Sequence, residues 1–395
     1  MATTEQKTGS RVLAIPHNGN LSLGLMFDDV TLTTKKPLSR DYAQRRMRWE
    51  PLYEVTQMKG DGETHPALSP NDEFADFERW DKGGFGTGAH TPDMLPKEYA
   101  REALKRGLAY EQKMGVNPFK FGMIGSTDSH TSLSTTTEDN FFGKITPLEP
   151  SARADRFNEV ITGRFLKDPA QQQLGWQTSA SGLAAVWATD NTREALWDAM
   201  ARKEVYATTG TRLVVRIFAG YDFVAEDLER NDFAKYGYQK GVPMGGDLKA
   251  APAGKAPALV IRALRDVDGA NIDRIQVIKG WLDAKGKTQE KVYDVSWSGD
   301  RKLDAKTGKL PPVGNTVNVK DASYKNTIGA PLMLAYWKDP EFNPKERAFY
   351  YVRAIEIPTP RWTTYDAKYF GTKPPPQAPT SIQDRAYTSP VWYTP

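Results

Sequence analysis

Cysteine is missing from the 395-residue sequence. That excludes disulfide staples, thiolate metal sites and cysteine nucleophiles, and leaves His, Asp and Glu as the strong metal ligands. Histidine is scarce too: His17, His65, His90 and His130 make up the full set of four. Charge of one sign is also in short supply. The 53 Lys and Arg exceed the 49 Asp and Glu by only four, too small a surplus over this length to mark a nucleic-acid surface. No apolar run approaches the roughly 18 residues of a membrane-spanning helix, and the opening MATTEQKTGS lacks the basic start and apolar stretch of a secretion signal. The chain reads as soluble, while the lack of cysteine suits cytosol and export equally.

What is present describes a folded chain long enough for two domains. Hydrophobic residues make up 39%, and 16 Phe, 17 Tyr and 10 Trp exclude a wholly disordered or collagen-like polymer. Residues 11–15 (RVLAI) form an aliphatic run stopped by Pro16, which predicts a buried strand entering the turn-rich loop HNGNLS. A helix is expected over 39–48 and a strand over 52–57 (LYEVTQ), which carries Glu54. Ser69, Pro70 and Asp72 resemble a capping box with proline at the first helical position, predicting a helix from 69 to about 80. The stretch 81–93 (DKGGFGTGAHTPD) reads as a loop. It is followed by a helix over 96–114 capped by Gly115, and by a strand over 119–126 (FKFGMIGS) ending at Asp128 and His130.

Strands separated by helices at this spacing predict parallel βαβ units whose loops share one face of an α/β barrel or open sheet. Asn191 and Glu194 suggest the cap of another helix, 191–204. After Gly241 the texture changes to alternating segments: 256–264, 272–282, 291–299, 331–337 and 348–357. These predict two domains, 1–240 as a barrel part and 241–395 as a mostly antiparallel, sandwich-like β domain. The proline-rich 371–381 should be an extended crossing before a final strand.

Asp128-x-His130 places two ligand-capable side chains on one side of an extended segment, as a metal pair requires; a hydrogen-bonded loop pair is the alternative. His17 also ends a predicted strand, so in one parallel sheet the three would converge. Two imidazoles and a carboxylate suffice for one divalent ion with positions left open for water. Glu54 and Glu63 are candidate further ligands or general bases, against a solvated or hydrogen-bonded role. Asn18, Asn20 and His90 are candidate substrate contacts, against turn-forming or surface roles. His65 has the same two readings. GGFGTG lacks the lysine and strand-to-helix context of a phosphate loop, so ATP and NAD are not implied. Trp281, Trp297, Trp337, Trp362 and Trp392 could line a binding surface or pack a core.

The strand with IPHNGN, the later IGSTDSH, and GLAAVWATDNTREALWDAM followed by VYATTG resemble the polymerase and histidinol phosphatase (PHP) superfamily. Within it the chain is most similar to a long-chain bacterial branch, the domain of unknown function 3604 family. KGDGETHPALSPNDEFADFE, YYVRAIEIPTPRWTTYDA and AYTSPVWYTP extend the likeness over essentially the whole chain. The resemblance implies part of a distorted, TIM-like (β/α)7 barrel and a metal-dependent phosphoesterase, with His17, Asp128 and His130 holding Zn, Mn or Fe. The substrate would be a small-molecule or polymer ester, with nucleic acid unlikely. Superfamily members open with a His-x-His strand and carry further ligands before the element matching His17, and nothing of that kind precedes it here. The expectation is an N-terminally incomplete version of a longer protein that needs a missing segment. The alternative function is a non-catalytic binding module or remnant with an aromatic-rich β domain.

Overall fold

The computed structural model describes residues 1–82, 88–146 and 148–395; the core of the glycine-rich stretch, 83–87, lies outside the described residues. Helix α1 (Ala2–Thr8) opens the chain. Helix α2 (Arg40–Trp49) starts where expected, because the Ser39 side chain accepts from Tyr42 N at 3.2 Å, satisfying one of the free donors of the first turn. Strand β1 (Leu52–Gln57), strand β2 (Gly60–Asp61), helix α3 (Ala100–Met114) and strand β3 (Gly122–Gly125) complete the first half of the site's scaffold. The order in this sheet is β2-β1-β3, with β1 and β3 parallel. Gly115 closes α3 in the left-handed region at φ 72, and its N–H donates to Glu111 O.

Two expectations fail locally. Residues 11–15 are extended but form no strand. Their chain touches the β1 region through Ala14 N to Trp49 O at 2.6 Å, and Pro16 O accepts from Glu54 N at 3.0 Å; Pro16 has no N–H with which to extend a ladder. No helix forms over 69–80, which is a series of turns. Ser69 and Asp72, the would-be capping pair, instead accept hydrogen bonds from Arg101, and Asp72 accepts from Arg353 as well. The other helix start shifts by one residue: Thr192, not Asn191, caps Arg193–Ala201.

All five alternating segments after Gly241 form strands: Ala258–Leu264, Ile272–Leu282, Thr288–Trp297, Leu332–Lys338 and Ala348–Glu356. They pair antiparallel, and partners come from both sides of Gly241. Val214–Gly220 pairs with Ala258–Leu264, while Leu183–Val186 and Val205–Thr208 join Arg385–Thr388, Ala348–Glu356 and Val391–Tyr393 in the eight-stranded sheet. Among the described residues no sheet closes into a barrel. All nine residues of Ala348–Glu356 are buried, as expected of a strand covered on both faces.

One face packs into a core with Ile217, Ile261, Val277 and Val352. The other packs onto α3 and β1 through Leu104, Leu108, Tyr53, Ile278 and Tyr351. Residues 372–380 run without helix or strand, as the prolines dictate, after a helix at Trp362–Phe370 that the sequence reading did not anticipate. No described helix is long and apolar enough to cross a membrane.

Candidate functional site

The parallel pair β1–β3 determines where the candidate residues emerge. Ile124 sits opposite Glu54, and an irregularity between Glu54 and Thr56 bends the ladder just before the loops begin. Beyond it Ser126 N donates to Thr56 O and Met58 N to Thr127 O, so the 126–130 loop leaves beside the end of β1. Because Pro16 O is bonded to Glu54 N, the loop carrying His17 leaves at the same level. Strand ends of a parallel sheet thus present several chemistry-bearing loops together.

Asp128 adopts a left-handed backbone at φ 49, a conformation Asp tolerates better than most residues. Its Oδ2 lies 2.7 Å from Lys59 Nζ and 2.9 Å from Lys144 Nζ, and its Oδ1 is 3.2 Å from His130 Nε2. Both lysines are buried, while His130 is 54% exposed, so the cluster opens to solvent on the imidazole side. Glu54 is half-buried beside it. Its Oε1 accepts from Gln57 Nε2 at 2.7 Å, and the same amide donates to Asn18 Oδ1 at 2.8 Å.

These contacts set opposite proton affinities. Burial, and the neighbouring Asp128 charge, push the Glu54 carboxyl up to about 7, against the lowering hydrogen bond from Gln57 and the charges of Lys59 and Lys144. Asp128 is also penalised by burial, yet its two lysine partners hold it well below the usual carboxylate range. Burial and the adjacent Lys59 bring Lys144 down to about 8. A carboxyl near 7 and an ammonium near 8 in one cluster are the separated acid and base that proton-transfer chemistry uses.

The other candidates are placed as follows. His17 is exposed on the wall of a cavity of about 430 Å³ shared with Asn18, Tyr42 and Arg46. Asn20 donates to Lys59 O at 2.9 Å and Trp80 O at 3.0 Å, a purely structural tie. Glu63 is buried between Arg101, Arg353 and the Tyr351 hydroxyl, so it has no free oxygen for catalysis. His90 lies 2.6 Å from buried Glu98, and that hydrogen bond raises its pKa. His65 sits 3.0 Å from Asp81. Of the five tryptophans, Trp337, Trp362 and Trp392 are core residues, which removes most of the proposed aromatic surface.

Among the described residues no group of three or more His, Asp or Glu side chains stands in metal-holding geometry. Asp128 and His130 are together, as the Asp-x-His spacing suggests, but they bond each other. Two ammonium groups also occupy the carboxylate oxygen that a cation would need. As arranged, this donor set does not fit Zn, Mn or Fe. Lys59, Gln57 and Lys144 are the members that sequence reasoning missed. Lys59 could have been found, since it follows β1 in QMKGDGE. Lys144 reaches the cluster only through a long-range contact, His130 N donating to Lys144 O at 2.9 Å, for which no local signal exists.

A family model described as "Protein of unknown function (DUF3604)" matches residues 1–395. No curated protein and no solved structure matches.

Proposed function

Since the chain belongs to the DUF3604 family over its whole length, a description that assigns no activity, we propose from the site's own chemistry that it is an ester hydrolase, with phosphoesters the favoured substrate class. The single observation that carries this reading is the Glu54 carboxyl, held near neutrality beside the Lys59–Asp128–Lys144 ion cluster. The resemblance to PHP phosphoesterases supplies the reaction class.

In this reading Glu54 takes a proton from water, and the resulting hydroxide attacks phosphorus or the acyl carbon while the bond to the alcohol oxygen breaks. The leaving alkoxide takes its proton from the Lys144 ammonium, whose lowered pKa suits the transfer. Lys59 offsets the negative charge that grows on the transferring group. Asp128 positions both lysines, and the Asn18–Gln57 pair fixes the orientation of Glu54.

The test is hydrolysis of p-nitrophenyl phosphate, bis(p-nitrophenyl) phosphate and p-nitrophenyl acetate by the 395-residue chain and by Glu54→Gln. Turnover of at least one ester by the parent, reduced about 10²-fold or more in Glu54→Gln, is expected. Equal rates for the two proteins would sink the assignment.

A metal-dependent form of the same hydrolysis, with Zn, Mn or Fe on His17, Asp128 and His130, is the second reading. It is favoured by the shared exit of these loops at the end of β1. It requires the two lysines to release Asp128. Activity that appears only on adding one of these metals, and vanishes in His17→Ala, would select it.

A further inference from the structure

The cavity of about 430 Å³ beside His17 takes no part in the hydrolysis derived above, and its size falls among sites for small molecules. Three hydrogen bonds fix the loop that walls it. Gly24 N donates to the buried Glu98 Oε1 at 3.0 Å, Arg46 Nη2 to Met26 O at 2.8 Å, and Phe27 N to Lys97 O at 3.0 Å. This pinned loop contributes Leu21, Leu23, Leu25 and Met26 to the lining, and Val30 and Leu32 add to the apolar surface. Leu25 is 50% and Leu32 65% exposed, so apolar surface at the opening stays in water unless a ligand covers it.

The charged groups of the lining are already paired. Asp28 lies 2.7 Å from Lys97 Nζ, and Glu50 lies 2.7 Å from Arg46 Nε. His17 aside, no charge in the lining is left over to hold an ion, so the part of a ligand that enters is hydrocarbon, which needs no polar partner. The wall at Pro16 and Asn18 joins this cavity to the Glu54 cluster. Pro16 O accepts from Glu54 N at 3.0 Å, and Asn18 Oδ1 accepts from the same Gln57 amide that donates to the Glu54 carboxyl. A single amide thus links the cavity lining to the candidate general base. The Lys59 and Lys144 ammonium groups of that cluster suit an anionic head, and the cavity suits an apolar tail.

We propose that the cavity takes the hydrocarbon group of the ester handled at the Glu54 cluster, which makes the preferred substrate an amphiphilic phosphoester. This inference rests on the hydrolase reading above and adds the substrate's second half to it.

Two measurements on the full 395-residue chain test it. The first is isothermal titration calorimetry with octylphosphonate and methylphosphonate, both kept below micelle-forming concentrations. Octylphosphonate should bind saturably and at least about tenfold more tightly than methylphosphonate. Leu25→Asp, at an exposed position, should weaken octylphosphonate binding roughly tenfold; Leu32→Asp takes its place if that variant does not fold. The second is hydrolysis of the methyl, butyl and octyl p-nitrophenyl phosphodiesters, with kcat/KM expected to rise about tenfold or more from methyl to octyl. Equal affinity for the two phosphonates overturns the proposal, as does octylphosphonate binding that Leu25→Asp or Leu32→Asp leaves unchanged. Turnover that is independent of chain length overturns it too, while the hydrolase reading stands. Octylphosphonate binding that Leu25→Asp weakens, with no turnover of any ester, supports the cavity's occupant and sinks the hydrolase reading instead.

Discussion

Arg353 Nη1 lies 2.9 Å from Glu63 Oε2, joining a fully buried strand of the large sheet to the loop after β2 across 290 positions of sequence. Arg353 also reaches Asp72 at 2.7 Å, and Arg101 of α3 grips the same two carboxylates. The four side chains are essentially without solvent contact. They bolt the loop after β2, the turns around Asp72, α3 and the Ala348–Glu356 strand to one another.

Removing one charge from this set leaves the others buried and uncompensated, a defect worth roughly 3–5 kcal/mol. Glu63→Ala and Arg353→Met should each lower the thermal midpoint at neutral pH by a large margin. Activity per folded molecule should stay near the parent's at low temperature. Differential scanning calorimetry paired with the ester assay checks both. A Glu63 variant that melts like the parent but loses turnover would return Glu63 to the catalytic list.

The same cluster governs acid stability. Burial raises both carboxyls' cost, but the arginines win and hold Glu63 and Asp72 below their ordinary values. Groups with depressed folded-state pKa contribute stability that is present above the unfolded value and lost as pH falls through the folded one. The midpoint should therefore hold steady down to about pH 4.5 and fall below it. Glu63→Gln should flatten that fall, as read from melts between pH 3 and 6, all in approximate steps of half a unit.

Glu54 runs the other way. Its folded value, about 7, lies above the ordinary 4.5, so its contribution is fully present at pH 4.5 and is lost as pH rises to about 7. Glu54→Gln removes that loss. The variant should gain roughly 1–3 kcal/mol relative to the parent between pH 5 and 8, seen as a midpoint difference that grows with pH. A constant difference across the range would mean that Glu54 titrates normally. A site group that costs stability when charged is the usual trade at a functional position.

The extent to which the sequence disclosed all this depended on the range of the forces involved. The strands at 272–282 and 348–356 were legible because apolar alternation reports a buried face directly. Ser39 was legible as a cap, since its acceptor lies three residues away. Ser69 and Asp72 misled for the converse reason: a local pattern was overridden by partners at 101 and 353. In the site, Asp128 and His130 were found together because spacing alone puts them there. The lysines on Asp128, and hence the sign of the potential around it, depend on contacts from 59 and 144 that no short motif encodes.

That arrangement makes Asp128 the most telling residue to change. Asp128→Asn keeps the side chain's shape but removes the carboxylate charge that lies between the buried Lys59 and Lys144 ammonium groups. Lys144 already sits near 8 because of burial and its neighbour, and without Asp128 it should drop further and shed its proton. The variant should be destabilised at pH 6 by roughly 2–4 kcal/mol. The deficit should shrink as pH rises past about 8, where the parent's Lys144 is also neutral and the Lys144 pair no longer separates the two proteins. Melts of parent and variant from pH 6 to 9 read this convergence. Parallel curves would show that Lys144 does not depend on Asp128 for its charge, and the lysine cluster could then not serve as the proton donor for a leaving group.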